Sequence, residues 1–240
     1  MLMKFHNRIQ AGKMLGESLI DYANHKNLLV LALPRGGVPV GWEIAKAVNA
    51  PLDVCIVRKI GVPGQKELAM GAIGAGGVRV FNHDIIATLG IDRDVIEKVV
   101  SQELEELKRR EQTYRRNAPP IKVENKTVIL VDDGVDTGAT IRAAIAVLKQ
   151  QKPSKIVVAI PVASASTYRE LESEVDEVVC LQTPEFFSAI GLWYEDFSQT
   201  SDQEVCEILG YYIEINWESG SKYEDQRRLG GGTKPNTPIG

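Results

Sequence analysis

Two adjacent aspartates, Asp132 and Asp133, stand at the head of a short loop, Gly134-Val135, which leads into Asp136-Thr137-Gly138-Ala139-Thr140. Val128 to Val131, just before them, form an apolar, β-branched run that reads as a short buried strand. Just after them Ile141, Ala144, Ile145 and Leu148 recur at the spacing of a helix packed on a sheet. A strand that turns sharply into a helix leaves backbone N–H groups unpaired at the positive end of the helix, which makes an anion site. Gly138 lets the backbone approach a phosphate closely, and the Thr137 and Thr140 hydroxyls add donors. Two carboxylates beside such a cradle would repel the phosphate unless they serve another partner. Sugar hydroxyls or a divalent cation suit them. The stretch is therefore built for a phosphorylated sugar together with a metal.

Cationic groups recur at two other places. Pro34-Arg35-Gly36-Gly37 follows the apolar run Leu28 to Leu33 and precedes a helix with Val40, Ile44, Ala47 and Val48 on its inner face. A glycine pair between strand and helix again offers N–H groups to an anion, now with Arg35 beside them. Pro51 to Val57 reads as the next strand, ending in Arg58 and Lys59. Two basic side chains at a strand end suit a multiply charged leaving group. A glycine-rich, aperiodic segment follows, IGVPGQKELAMGAIGAGG, and reads as a flexible lid loop. Its last part does not sit between a strand and a helix, so a hairpin turning at Ala75 to Gly77 is expected there, not a dinucleotide fingerprint. Phe186, Phe187, Trp193 and Tyr194 lie in the densest aromatic stretch, Thr183 to Phe197, and either floor a pocket for a planar base or seal the sheet edge.

Several elements position these groups. A first helix spans about residues 7–25, with Ala11, Leu15, Leu19 and Tyr22 on one face. The longest runs from Asp92 to about Tyr114, with Ile96, Val100, Leu104 and Leu107 as its stripe and a basic end that includes Arg109, Arg110, Arg115 and Arg116. Cations there favour a solvated helix terminus. Strands at 155–161 and 177–181 enclose a helix at 166–174, and a last short helix covers 202–209. Alternating strands and helices of these lengths give an α/β fold with a doubly wound, mostly parallel sheet, whose ligands bind at the carboxyl ends of the strands. One domain is expected over 1–217, with its core at about 28–182, and a disordered polar tail over 218–240.

Of the 240 residues 44% are hydrophobic and 25% charged, and the net charge of −4 argues against a nucleic-acid or membrane-surface role. No apolar run is long enough to span a bilayer, and the first residues lack the apolar core of a signal peptide. The three widely spaced cysteines form no metal-ligand pattern and fit a reducing compartment, so a cytoplasmic location is expected.

The stretch VILVDDGVDTGAT resembles the phosphoribosyl pyrophosphate (PRPP) motif of type I phosphoribosyltransferases: hydrophobic strand, two acids, short loop, then T-G-x-T. PRGG resembles the first loop of that family, where pyrophosphate is held and an unusual peptide conformation is common. RKIGVPG looks like the start of its catalytic loop. With ELAMGA and WYEDFSQ, the arrangement is also similar to stand-alone bacterial members of the family. The resemblance implies a core sheet with a small hood from the N- and C-terminal segments, Mg²⁺ as cofactor, PRPP and a nucleobase-like acceptor as substrates, and often a homodimer. Carried over by position, Asp132 and Asp133 would bind the ribose hydroxyls and orient hydrated Mg²⁺. Gly134, Val135 and the segment Asp136, Thr137, Gly138, Ala139 and Thr140 would form the PRPP loop. Arg35, Gly36, Gly37, Arg58 and Lys59 would face the pyrophosphate, and Asp136 would handle the base proton. Hypoxanthine-type members place a lysine where this chain has Pro161-Val162-Ala163-Ser164, so the acceptor stays open. A PRPP-sensing regulator and a sugar-phosphate hydrolase are the alternative readings.

Overall fold

The structure is a computed structural model that describes residues 4–115 and 118–218. In chain order its elements are α1 (Arg8–Ser18), β1 (Leu28–Ala32), α2 (Gly37–Val48), β2 (Leu52–Val54), β3 (Val57–Val62), β4 (Gln65–Gly74), β5 (Arg79–Phe81), α3 (His83–Leu89), α4 (Arg93–Arg115), β6 (Thr127–Val131), α5 (Ala139–Gln150), β7 (Lys155–Val162), α6 (Ala165–Glu174), β8 (Glu177–Gln182) and α7 (Asp202–Glu218). Arg116 and the tail expected to be disordered lie outside the described residues, apart from Glu218, which ends α7.

Five strands make one parallel sheet in the order β2-β1-β6-β7-β8. β1 and β6 are buried in nearly continuous apolar runs and pair from Leu28 with Thr127 to Ala32 with Val131. Burial on both faces of a strand demands such runs, because helices cover each side. Here α1, α2 and α7 pack on one face around Val30, Ile129 and Val157, with α4 lying against β3, β4 and α7, while α5 and α6 cover the other around Leu29, Leu130 and Val158. Side chains of β1, β6 and β7 alternate between the two cores, as the two-residue period of a strand requires. Each fully buried Val, Leu or Ile contributes about 1.5–3 kcal/mol.

The sequence reading fails between residues 51 and 74. PLDVCIV is not one strand: β2 leaves the main sheet after Val54, and Cys55-Ile56 carry the chain into a second, antiparallel sheet of order β3-β4-β5. The segment read as an aperiodic lid is therefore a paired hairpin, Val57 to Val62 against Gln65 to Gly74, with a register shift around Gly61. Small residues such as Gly71 hide the strand pattern, yet they permit close packing: a Cβ at Gly71 would stand 2.4 Å from the Val80 carbonyl oxygen. The turn expected at Ala75 to Gly77 is present and leads into β5. α4 buries Ile96, Val100, Leu107 and Tyr114 and leaves Leu104 half-buried.

The N-terminal segment and residues 193–196 form the hood by pairing with each other. Phe5 N–H donates to the Trp193 carbonyl at 2.8 Å, and Glu195 N–H donates to the Phe5 carbonyl at 2.8 Å. Phe5, Ala11, Val162 and Tyr194 form a small core beneath this junction.

Candidate active site

The acid pair sits where β6 ends. Asp133 N–H donates to Asp132 Oδ1 at 2.9 Å, and the Asp133 side chain is buried. One of its oxygens, Oδ2, accepts from Nε of Arg8 at 2.7 Å and is ion-paired with Nη2 at 2.7 Å. The third arm of the guanidinium donates to the Ser198 carbonyl at 2.6 Å, and its carbon lies 4.0 Å from the centre of the Phe197 ring. Tyr194 hydroxyl donates to the Asp133 carbonyl at 2.6 Å. Burial first, and the Asp133 charge second, push the Asp132 carboxyl well above the usual carboxylate range, while Arg8 opposes the shift. The pair thus holds one carboxylate compensated by Arg8 and one whose ionised form is disfavoured.

The loop after the pair is held from below by neighbouring elements. Val135 N–H donates to the Val162 carbonyl at the end of β7, at 2.9 Å. Thr167 Oγ1, on α6, donates to the Asp136 carbonyl at 2.6 Å. Arg142 Nη1 donates to the Thr137 carbonyl at 3.1 Å, and the same side chain is paired with Glu170 and Glu174. Gly138 takes φ 74°, a left-handed conformation that favours glycine, and α5 begins at the next residue. The Asp136, Thr137 and Thr140 residues are exposed at this helix start.

The Pro34-Arg35-Gly36-Gly37 loop lies directly against the acid pair, and the Pro34–Arg35 peptide is cis. A Cβ on Gly36 would fall 1.9 Å from Asp133 Oδ2, and one on Gly37 would fall 2.8 Å from the Val131 carbonyl oxygen. Both glycines are therefore required by the close approach of two loops. Arg35 Nη1 lies 3.7 Å from Asp202 Oδ1, at the start of α7, and that oxygen also accepts from Tyr114 hydroxyl at 2.6 Å.

Arg58 and Lys59 do not end a strand of the main sheet. They lie inside β3, because the chain has already crossed to the second sheet. Arg58 Nε is 2.7 Å from Glu103 Oε2 on α4. Both basic residues line a cleft of about 790 Å³ between β3 and α4, whose rim includes Pro34, Thr140 and Lys98. The cleft thus runs from the basic pair to the first-loop proline and the start of α5. The four aromatics do not share one floor. Tyr194 is buried, and Phe186 is 93% exposed. Phe187 and Trp193 are parallel within 6°, with centroids 6.4 Å apart.

Arg8, Glu103, Asp202, Thr167 and Arg142 belong to the site but carry no sequence signal for it. Arg8 is separated from Asp133 by 125 residues, and nothing in a single helical arginine announces such a partner. Among the described residues no cluster of three or more His, Cys, Asp or Glu could hold a metal ion, and no helix is long and apolar enough to cross a membrane.

Comparison with known proteins agrees with the geometry. The profile of the phosphoribosyl transferase domain matches residues 1–195. Two curated Mycobacterium tuberculosis proteins, from strains CDC 1551 and H37Rv, are 44% identical over 205 residues and carry names that provisionally assign them as phosphoribosyl transferases. The match covers 85% of this chain but 46% of theirs, so the chain spans about half the length of these relatives. The crystal structure of TT1426 from Thermus thermophilus superposes with a TM-score of 0.80 at 40% identity, covering 88% of this chain and 99% of that one.

Proposed function

The chain belongs to the phosphoribosyl transferase family, and on that premise we propose that it moves the 5-phosphoribosyl group of PRPP to a nitrogen of a nucleobase-like acceptor and releases pyrophosphate. One observation carries this reading: the acid pair, the exposed start of α5 and the Pro34–Gly37 loop meet on one rim, with Gly36 packed onto Asp133. A ligand with a sugar diol between a monophosphate and a diphosphate matches those three features in that order.

In this reading the N–H groups of residues 136–140 hold the 5′-phosphate. Asp132 accepts from the ribose hydroxyls. Arg35, Lys59 and Arg58 meet the pyrophosphate, and Arg58 first has to leave Glu103. The bond from C1 to the pyrophosphate oxygen breaks with its electron pair leaving on pyrophosphate, and the acceptor nitrogen forms the new bond to C1. Asp136, exposed at the helix start, takes the acceptor's proton. The hard carboxylate oxygen of Asp132 would hold Mg²⁺, which would supply positive charge against the departing pyrophosphate.

The test is pyrophosphate release from PRPP and Mg²⁺ across purine, pyrimidine and other nitrogen acceptors, with Asp132→Asn/Asp133→Asn as control. Acceptor-dependent release that the control loses supports the transferase. Tight PRPP binding without release by any acceptor moves the assignment to a PRPP sensor. Asp136→Asn is expected to lower turnover more than PRPP affinity; an equal loss of both removes its role as base.

A further inference from the structure

We propose that Arg8 is a positioning residue of the ribose site, acting through Asp133. The proposal rests on the transferase reading. Arg8 Nε donates to Asp133 Oδ2 at 2.7 Å, and Nη2 of the same guanidinium is ion-paired with that oxygen at 2.7 Å. That same oxygen is the atom on which Gly36 is packed. The Asp133 carbonyl takes the Tyr194 hydroxyl, and its N–H is spent on Asp132 Oδ1. Asp133 is therefore engaged through its backbone N–H, its carbonyl and one carboxylate oxygen, before any ligand arrives. Arg8 thereby fixes Asp133 against the Pro34–Gly37 loop, so that its other carboxylate oxygen and Asp132 are held in place to meet the sugar.

Arg8 is itself over-determined. Its side chain is 11% exposed, its third arm is fixed by the Ser198 carbonyl, and its plane rests near Phe197. A guanidinium so held is a fixed counter-charge for Asp133, which lysine cannot reproduce because it lacks the planar set of donors. The arrangement links the first turn of α1, the end of β6 and the segment at 197–198 through one side chain.

The experiment is PRPP binding by calorimetry in the presence of Mg²⁺, for the full chain and for Arg8→Ala, Arg8→Lys, Asp133→Asn and the double variant Arg8→Ala/Asp133→Asn. Loss of hydrogen bonds to a charged group is expected to weaken PRPP binding about 10- to 100-fold in Arg8→Ala. The double variant should bind no more weakly than the weaker single variant, because both changes remove one unit. Guanidinium ion at low millimolar concentration should restore part of the affinity in Arg8→Ala and none in Asp133→Asn. Should Arg8→Ala not fold, Arg8→Lys takes its place in the cycle. Wild-type affinity in the Arg8 variants, or additive losses without guanidinium rescue, would overturn the proposal while leaving the transferase reading intact. If the unaltered chain binds no PRPP, the transferase reading itself falls, and the proposal with it.

Discussion

Gly36→Ala isolates the contact between the two loops. Gly36 has φ −61° and ψ −31°, a backbone that alanine adopts without strain, so any effect is steric. The added methyl would lie 1.9 Å from Asp133 Oδ2 and 2.5 Å from its Cγ, more than an ångström inside contact distance. An unheld carboxylate would swing away at small cost. Asp133 is held by Arg8, so either the ion pair opens or the Pro34–Gly37 loop lifts. Overpacking costs about 1–3 kcal/mol, and losing hydrogen bonds to a charged group costs about 1.5–3 kcal/mol. The two are alternatives in part, which gives a destabilisation of about 2–4 kcal/mol. For a domain of this size, that is roughly 4–16 °C in Tm. Thermal unfolding and PRPP calorimetry, run together, read both consequences, and affinity should fall at least about tenfold because the displaced groups belong to the proposed sugar site. Gly76→Ala is the control. Gly76 has φ 73° with no neighbour within 4 Å, so alanine there brings about 1–2 kcal/mol of backbone strain and leaves PRPP affinity unchanged. A Gly36→Ala protein with unaltered Tm and affinity would refute the packing argument.

Other outcomes follow from the same geometry. Glu103→Gln removes the counter-ion that Arg58 leaves in the proposed reaction, and since both side chains are partly exposed the expected gain in pyrophosphate affinity is modest, about 2- to 5-fold, shrinking at high salt. Thr167→Val keeps the shape of the side chain but deletes the donor to the Asp136 carbonyl, and ribose 5-phosphate binding should weaken about fivefold in a competition assay. Burial pushes the Cys55 thiol from 9.0 up to about 12, against the pull of Arg115, so alkylation at pH 8 should label Cys55 only after unfolding. The same shift makes the unfolded chain lose its proton first, so this group's contribution to stability should decline as pH rises from about 9 toward 12 in denaturant titrations.

The parts of the site that were legible in the sequence are those made by contiguous residues. Val128 to Thr140 carries strand, acids, turn and helix in one stretch, and the structure builds β6, the loop and α5 from it in that order. The Pro34–Gly37 loop was readable for the same reason. Arg58 and Lys59 were misplaced because the chain changes sheets at Cys55-Ile56 inside an unbroken apolar run, where hydrophobicity gives no hint of a bend. β4 was hidden because its small residues weaken the alternation that marks a strand. α7 runs on to Glu218, beyond the expected end at Leu209, since one Gly210 costs a helix only about 1 kcal/mol. The counter-ions of the site were illegible altogether. Arg8, Glu103 and Asp202 reach Asp133, Arg58 and Arg35 across long sequence separations, and charge on an exposed-looking helix names no partner.

The hood joint between Phe5 and Trp193–Glu195 also sets an order of events during synthesis. The strands β1, β6 and β7 can pair as soon as residue 162 has left the ribosome, but Phe5 and the third arm of Arg8 wait for a segment some way further along the chain. Until then the acid pair has its sheet but neither the Tyr194 hydroxyl nor the full set of contacts that fix Arg8. A nascent chain therefore owns a paired sheet and the Arg8–Asp133 ion pair before it owns a finished site.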